Sequence, residues 1–436
     1  MSTTVTSLEM RLLHRCEIAF GQKIQLSDCL SNLATLVAFE KQGIQQCPAN
    51  LSFPQYIHNS GYDSACGRVE RQINQFVMPM LQLLCLSGNI LNLLIYRLPY
   101  FQGSTSVHFL KVKAYANLVF VESRVLEVIH AWNVHADPAF ETFYWYTKPY
   151  VITMASMSGT VSTWMTLVIT IETVLCVLLP FYFRQICTKR LSLIILFCFV
   201  LCSIFLHIPF IFSQTVISSP ILKELENRQY NNRCYWITNQ YFMETYREPF
   251  YEYIQKTYYW LQITLSILIP NIAMLICSIL IVAQFSFKNH NESFSQRRKC
   301  VIRMTVATTL SHLLLEGPAL LTFAAVARKG YLHSLNFWKK ERFPNRANSS
   351  DHGNNICILA HGNNLLSVIN AATPFFVFLA FNEQFRRMSL VFIQVHFIPR
   401  RFMKKTSVPS HKLHGISSSV KLINNASSFP SNYTHL

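Results

Sequence analysis

One long apolar run constrains the fold of this chain more than any other feature. Residues 151–180 are apolar, small or hydroxyl-bearing almost throughout, and about 20 such residues are enough for a helix to cross a bilayer. The run holds a single charged residue, Glu172. Because a charge inside an apolar span is costly, a residue of this kind usually has a function. We therefore expect a membrane-spanning helix with a functional carboxylate near one end.

The composition also indicates a membrane protein. Hydrophobic residues make up 51% of the 436-residue chain and charged residues only 14%, whereas soluble proteins average about 25% charged residues. The formal net charge is +17, but the basic residues lie mainly in short segments between apolar runs, as in cytoplasmic membrane loops. Lys111 and Lys113 are expected to extend to the inner membrane surface in this way. The pattern predicts membrane lipid as a partner and no nucleic acid.

Seven apolar stretches have the length of a membrane span. They predict an all-α membrane protein, a seven-transmembrane helix bundle between residues 74 and 381. A mixed polar tail precedes the bundle (residues 1–73), an amphipathic segment predicted to lie on the membrane surface follows it (382–405), and the Ser-rich remainder (406–436) is predicted to be disordered. The predicted spans are residues 76–96, 109–132, 151–180, 191–212, 258–285, 300–327 and 357–381.

The distribution of charge predicts the orientation of the bundle. Basic residues dominate the segments between spans one and two, three and four, and five and six, and the segment after span seven, where Glu292 and Glu383 are the only acids. Such an excess marks the cytoplasmic side, so the N-terminus is expected outside, although residues 328–356 carry a basic excess on the outer side. Asn50 and Asn348 then begin outer N-glycosylation sequons.

Several motifs occur in the order and spacing of one receptor family. In chain order they are Gly88-Asn89, Glu172-Thr173-Val174 followed by Pro180-Phe181, Pro270, Pro318 and Thr373-Pro374. A proline inside one span is ordinary, but a proline in each of the last three spans is a much stronger signal. The pattern resembles the rhodopsin-like (class A) G-protein-coupled receptors over roughly residues 75–400.

Within that class, the chain is most similar to the invertebrate FMRFamide-type neuropeptide receptors. Residues 180–188, 206–209 and 250–270 carry this narrower resemblance. The resemblance implies a multi-pass receptor of the plasma membrane whose extracellular peptide ligand shifts the bundle between conformations. It also implies a heterotrimeric G protein, and arrestin beside it, as the intracellular partners.

The chain departs from the family at its switch positions. Thr173 stands where the family has the arginine that enters the G-protein contact, and Asn117 stands where an Asp usually anchors a sodium ion. His312 and Glu316 replace an aromatic residue and a Trp. These departures predict atypical coupling. The switch and coupling residues that the resemblance implies are Asn117, Glu172, Thr173, His312, Pro318, Thr373 (an Asn in the family) and Pro374.

The cysteines depart from the family as well. The usual disulfide of the family joins the outer end of the third helix to the second outer loop, and Cys234 could supply the loop half. No cysteine lies between Cys85 and Cys176, so the helix half is missing. Cys234 is therefore expected to pair with a tail cysteine or with Cys357, or to stay free.

Two acidic residues are the candidates for the ligand-binding site. Glu127 lies near the outer end of span two and is expected either to bind a cationic group of the ligand or to pair with Arg124, three residues away. Glu316 precedes Pro318 by two residues, so it either acts as a conformational hinge or holds two helices together, with His312 as its expected partner. The pocket is predicted between the outer halves of spans two, three, five, six and seven.

Glu172 lacks the arginine that such an acid holds in the family. A buried acid without a partner is costly. Glu172 is therefore expected to be protonated, or to bond to Thr173 or to a basic loop residue such as Arg184 or Lys189.

Two other functions fit the same polar residues. A transporter or channel would use them as an ion pathway, although no internal repeat of the kind common in transporters is visible. A receptor-like protein could instead bind ligand without G-protein signalling. No metal-ligand spacing, phosphate loop or Ser/His/Asp constellation is evident, so we predict no enzyme activity, no catalytic residue, no cofactor and no metal. The residues of the alternative polar route are Glu122, Arg124, Glu127, His312 and Glu316.

Overall fold

Most of the described part of the chain is helical. The computed structural model describes residues 26–46, 65–98, 105–132, 138–179, 183, 187–227, 232–246, 249–291, 296–339 and 350–397. The chain divides into two compact units, Met1–Glu383 and Gln384–Leu436. The sequons at Asn50 and Asn348 and the loop residue Arg184 lie outside the described residues.

The first unit is built from eleven helices within the described residues. In chain order they are α1 (Leu26–Lys41), α2 (Ala65–Gln72), α3 (Met78–Tyr96), α4 (Thr105–Glu122), α5 (Val125–Trp132), α6 (Pro138–Leu178), α7 (Lys189–Ser213), α8 (Pro249–Leu261), α9 (Ile269–Asn291), α10 (Gln296–Lys339) and α11 (Ser350–Phe381). The π-helical turn Ile73–Val77 joins α2 to α3, and the π-helical turn Gln262–Leu268 joins α8 to α9. The second π turn ends two residues before Pro270. Because Pro270 has no N–H to donate to the preceding turn, a wider turn at this place relieves the mismatch.

Five helices in the described part of the chain are long and apolar enough to cross a membrane. They are Arg68–Tyr96, Ala139–Leu178, Lys189–Ser213, Tyr253–Gln284 and Ile358–Phe381. The predicted membrane protein built from helices is thus confirmed in this coarser form. The predicted spans 109–132 and 300–327 also lie on helices, α4 with α5 and α10, but these helices are not among the five found within the described residues. Helix α4 carries Lys111, Lys113 and Glu122, and α10 carries His312 and Glu316.

Several helices extend beyond the predicted spans. Helix α6 begins at Pro138 rather than at residue 151, and α10 continues to Lys339 through residues predicted to form a loop. The second predicted span is interrupted by a turn at Ser123 and Arg124, between α4 and α5. Hydropathy identifies only the apolar part of a helix. The helix itself can continue beyond that part, because polar residues also form helix outside the membrane.

Helix α6 lies at the centre of the bundle. It contacts α4, α7, α9 and α10, and 61% of its most apolar segment is buried. Its Met165 is fully buried against Phe109 and Ala116 of α4. Helix α7, by contrast, is only 17% buried, and it exposes large apolar side chains such as Phe197 and Phe205. Such a surface requires an apolar solvent, so α7 is a lipid-facing helix.

Two helices approach each other closely at Gly88. A Cβ atom on Gly88 would lie 3.0 Å from the Cβ of Phe375, so α3 and α11 meet there almost backbone to backbone. The neighbouring Asn89 donates from Nδ2 to the carbonyl of Ala371 over 3.2 Å. A small residue next to a hydrogen-bonding amide is a frequent device for holding membrane helices together. The Gly-Asn pair of the sequence predicts this contact.

A long β-hairpin covers one end of the bundle and was not predicted. Strands β2 (Gln214–Asn227) and β3 (Asn232–Thr245) pair antiparallel, and the short strand β1 (Gln45–Gln46) adds to β3 in parallel, in the order β1-β3-β2. The hydroxyls of Tyr241 on β3 and Thr142 on α6 lie 2.8 Å apart. We call this end of the bundle the hairpin end, and the opposite end the Glu172 end.

Cys234 on β3 is disulfide-bonded, so the expectation of a free thiol is excluded. Its partner is not one of the seven free cysteines, which are Cys85, Cys176, Cys187, Cys198, Cys202, Cys277 and Cys300. The absence of a cysteine from the corresponding end of α6 is consistent with a pairing unlike that of the family.

The segment after the bundle forms a helix in the described part of the second unit. Helix α12 (Glu383–Phe397) carries Arg386 and Arg387 together with apolar residues such as Leu390. This alternation fits the predicted amphipathic character. The remainder of the predicted surface helix and the predicted disordered tail lie outside the described residues.

Candidate functional site

A cavity of about 460 Å³ lies among the helices at the hairpin end. Residues of α4, α5, α6, α8, α10 and α11 line it, as do residues of α2, α3, the two π turns and Met243 of the hairpin. Ligand pockets of proteins are commonly about 300–1,000 Å³ and lie between helices in bundles. The structure thus places a cavity of ligand size among helices that include those of the predicted pocket.

Glu127 lies on the wall of this cavity, one turn after Arg124. Arg124 donates from Nη2 to Oδ1 of Asn364 over 3.3 Å, and its guanidinium lies 5.2 Å from the ring centre of Phe120. No ion pair joins Arg124 to Glu127 in the described part of the chain. The carboxylate of Glu127 therefore faces the cavity without the partner that the sequence offered as an alternative.

Charged groups of both signs surround the rest of the cavity. Lys148 on α6 lies over the ring of Trp145, 4.4 Å from its centre. Glu70 on α2 approaches His361 on α11 at 3.5 Å. A site of this composition is suited to a ligand that carries polar or charged groups on an apolar frame.

Glu316 lies on the cavity wall, at the side towards the middle of the bundle. Its two carboxylate oxygens accept hydrogen bonds from Ser367 and from Asn370 of α11, each over 3.1 Å. His312, one turn earlier on α10, is bonded to the same Asn370 at 2.8 Å. Glu316 and His312 are thus linked through Asn370 rather than to each other. The sequence offered no signal for this intermediary, because it comes from a different helix.

Asn117 uses both ends of its amide inside the bundle. Its Oδ1 accepts from the hydroxyl of Ser162 over 2.6 Å, and its Nδ2 donates to the carbonyl of Ala371 over 3.0 Å. The second bond joins α4 to α11 at the same carbonyl that Asn89 of α3 contacts. Asn117 therefore connects helices and carries no charge that would attract a cation.

A second polar network lies on the cavity wall and could not be predicted as a network from the sequence. Thr160 of α6 lies 2.8 Å from Nε2 of His207 on α7 and donates to Ser266 over 3.1 Å. The other ring nitrogen of His207 lies 3.0 Å from the hydroxyl of Tyr258. His207 is fully buried, so its hydrogen bonds fix the relative positions of three helical segments. The only signal for it was the His207-Ile208-Pro209 end of the fourth span.

The position of Lys113 differs from the predicted one. Its expected position was at the membrane surface, but its side chain is only 4% exposed. Its Nζ donates to the hydroxyl of Thr166 on α6 over 2.7 Å. The direction of the Lys113 side chain depends on how α4 is rotated about its axis relative to α6. The positions of charged residues along the sequence do not reveal that rotation.

Glu172 and Thr173 lie buried at the Glu172 end of α6. Glu172 accepts a hydrogen bond from Thr105, the first residue of α4. This partner differs from the three that the sequence offered. Thr173 lies 3.1 Å from the hydroxyl of Thr305 on α10 and donates to the carbonyl of Ile169 over 2.8 Å. One turn away, the hydroxyls of Thr170 and Thr309 lie 3.1 Å apart.

The remaining predicted switch residues lie within continuous helices. Thr373 donates to the carbonyl of Ile369 over 2.8 Å, one turn earlier on α11. Pro374 and Pro318 lie inside α11 and α10. The structure therefore brings Asn117, Glu316 and His312 together near the cavity, and it places Glu172 and Thr173 at the opposite end. No group of three or more His, Cys, Asp or Glu residues in the described part of the chain could hold a metal ion.

Comparison of the chain with known protein families and with curated proteins gives no match.

Proposed function

We propose that the chain is a divergent rhodopsin-like G-protein-coupled receptor for a neuropeptide. In this proposal α4 with α5 and α10 complete a seven-span bundle with the five apolar helices. The protein lies in the plasma membrane with its N-terminus and its hairpin end outside. An extracellular peptide binds in the cavity. A heterotrimeric G protein binds at the Glu172 end, with arrestin as a second partner there.

The observation that carries the proposal is the position of α10. This helix contributes Glu316 to the cavity and Thr305 to the contact with Thr173 at the other end. Between these two levels, His312 is tied to α11 and Thr309 is tied to α6. A ligand that displaces Glu316 would therefore strain contacts along the whole helix, as a helix shift in a receptor requires.

The same contacts favour a receptor over a transporter or channel. At the level of Thr170 and Thr173, α6 and α10 meet through direct hydroxyl contacts of 3.1 Å. The side chains that bridge these two helices are buried. A continuous polar route for ions would require these hydroxyl pairs between α6 and α10 to separate. A receptor requires only that a ligand shifts the equilibrium between the paired and the separated state.

The proposal is tested by expressing the full chain at the cell surface and screening a neuropeptide library. G-protein activation and arrestin recruitment are measured in parallel, with surface density matched between samples. Activation by a peptide in either assay supports the receptor. Binding of a peptide with no response in either assay identifies a receptor-like protein without signalling. Ion or solute flux that depends on the chain, with no peptide response, would contradict the proposal.

A further inference from the structure

Two residues between the cavity and the Glu172 end have hydrogen-bond donors that lack acceptors. The first is His312, whose side chain is 1% exposed. Its Nδ1 lies 2.8 Å from Nδ2 of Asn370, which also donates to Glu316. Because an amide nitrogen can only donate, Nδ1 is the acceptor and the ring proton of the neutral histidine is on Nε2. Nε2 is buried and has no hydrogen-bond partner in the described part of the chain.

The second is Lys113, whose side chain is 4% exposed. An ammonium group has three N–H donors and no acceptor. Within the described residues, its one hydrogen bond is that to Thr166, whose own hydroxyl donates to the carbonyl of Ser162 over 2.9 Å. Two donors of Lys113 are therefore free inside the bundle.

The two residues face the same space between α4, α6 and α10. Thr166, the partner of Lys113, lies one turn from Thr170 on α6. Thr170 contacts Thr309, which is three residues before His312 and on the same face of α10. The charge of Lys113 also acts directly on His312.

Lys113 makes no ion pair within the described part of the chain. Glu316 is the carboxylate on which both Lys113 and Arg124 act. Its two oxygens already accept from Ser367 and Asn370. The buried ammonium group of Lys113 therefore has no carboxylate in direct contact, and a buried charge is costly unless it is compensated.

We propose that Lys113 and His312 bind a small monovalent anion such as chloride. A water molecule could accept the same hydrogen bonds, but it would not compensate the charge of Lys113. An anion does both, and because its ligands come from α4 and α10 it holds these helices against α6. Bound chloride would thus stabilise the arrangement described above, independently of the receptor function.

The test is thermal unfolding of the full-length protein, purified in detergent, at constant sodium and ionic strength. Chloride is compared with gluconate, which is too large for a buried site, and with bromide. We expect the wild type to unfold at a temperature about 2–4 °C higher in chloride than in gluconate, with bromide close to chloride. Equal unfolding temperatures in all three salts would mean that water satisfies the donors, and the anion site would be wrong.

Two substitutions locate the effect. Lys113→Met removes the cation and keeps an apolar side chain of similar length, so the variant should fold and lose the difference between chloride and gluconate. Lys111→Met, two residues earlier and only partly buried, is the matched control and should keep that difference. If Lys113→Met does not fold, His312→Leu provides a second test, because loss of the Nε2 donor should raise the half-maximal chloride concentration several-fold. A full chloride effect in either variant would overturn the assignment.

Discussion

The hydroxyl of Thr173 lies 3.1 Å from the hydroxyl of Thr305, so α6 and α10 meet at the Glu172 end through two neutral groups. An ion pair at this place would resist separation by Coulomb attraction, which is strong in a medium of low dielectric constant. A hydroxyl pair contributes only about 0.5–1.5 kcal/mol. The closed arrangement of this end is therefore held by weak contacts that are repeated at Thr170 and Thr309.

If the protein is the proposed receptor, replacing Thr173 by arginine should strengthen its coupling to a G protein. The new guanidinium would offer a charged contact to the G protein. It would also lie beside Glu172, whose carboxylate accepts a hydrogen bond from Thr105. A charge-assisted hydrogen bond contributes roughly 1.5–3 kcal/mol, so agonist-driven G-protein activation should rise about tenfold at matched surface density. The control is Thr173→Val, which removes the hydroxyl without adding charge and should raise basal activity alone. If the wild type couples strongly and Thr173→Arg adds nothing, this interpretation of the Glu172 end is wrong.

In the proposed receptor, removing the charge of Glu127 should weaken agonist potency. Its carboxylate lies on the cavity wall with no ion pair to Arg124, so it is available to a cationic group of the ligand. Glu127→Gln should raise the agonist concentration for half-maximal response about tenfold, because an ionic hydrogen bond becomes a neutral one. Glu122→Gln, on the preceding helix and not on the cavity wall, serves as the control. An unchanged response in Glu127→Gln would remove this residue from the site.

Glu316→Gln should alter signalling more than ligand affinity. Glu316 accepts two hydrogen bonds from α11, and a glutamine can reproduce only one of these acceptors with its carbonyl oxygen. Basal or maximal activity should therefore change, while binding of a labelled agonist changes less than about threefold. Ser367→Ala removes one of the same bonds and should act in the same direction to a smaller extent. Identical affinity and signalling in Glu316→Gln would reduce Glu316 to a packing residue.

A methyl group at Gly88 should destabilise the bundle. Its Cβ would lie 3.0 Å from Phe375, and overpacking of this kind costs about 1–3 kcal/mol. Gly88→Ala should lower the unfolding temperature and the surface density of the protein. Gly362→Ala on α11 is the control, because a Cβ there meets no atom within 4 Å. Comparable losses in both variants would show that the contact between α3 and α11 is less tight than described.

Glycosylation tests the orientation. If the N-terminus is outside, a glycosidase should reduce the apparent mass of the protein, and Asn50→Gln with Asn348→Gln should abolish that shift. The sequons at Asn291 and Asn432 lie on the predicted inner side and should remain unmodified. Modification of Asn291 or Asn432 would contradict the topology.

The helices and several of their contacts could be predicted from the sequence, because they depend on local features. Hydropathy identified the apolar helices, and Gly88 with Asn89 predicted a close contact. The direction of Lys113 could not be predicted, since it depends on how α4 is rotated against α6. The same limit applies to Thr105 as the partner of Glu172 and to Asn370 between His312 and Glu316, because each partner belongs to another helix.

The hairpin was missed for a related reason. Strands of 14 residues pair across the whole of β2 and β3, but their sequences mix polar and apolar residues without a strict alternation. Pairing between strands supplies the backbone hydrogen bonds that hold such a segment, and no pattern within one strand reveals its partner. Taken alone, the sequence of residues 213–257 therefore predicts a long polar segment between spans four and five.

The addition of β1 to the hairpin has a consequence for any shortened form of the protein. Gln45 and Gln46 pair with Cys234 and Tyr235 and cover this part of one edge of β3. Removal of the chain through Gln46 would leave that edge with unpaired backbone groups, and an uncovered edge strand pairs readily with another chain. A truncated protein of this kind would be expected to self-associate through β3, so expression variants should retain the tail from Leu26 onward.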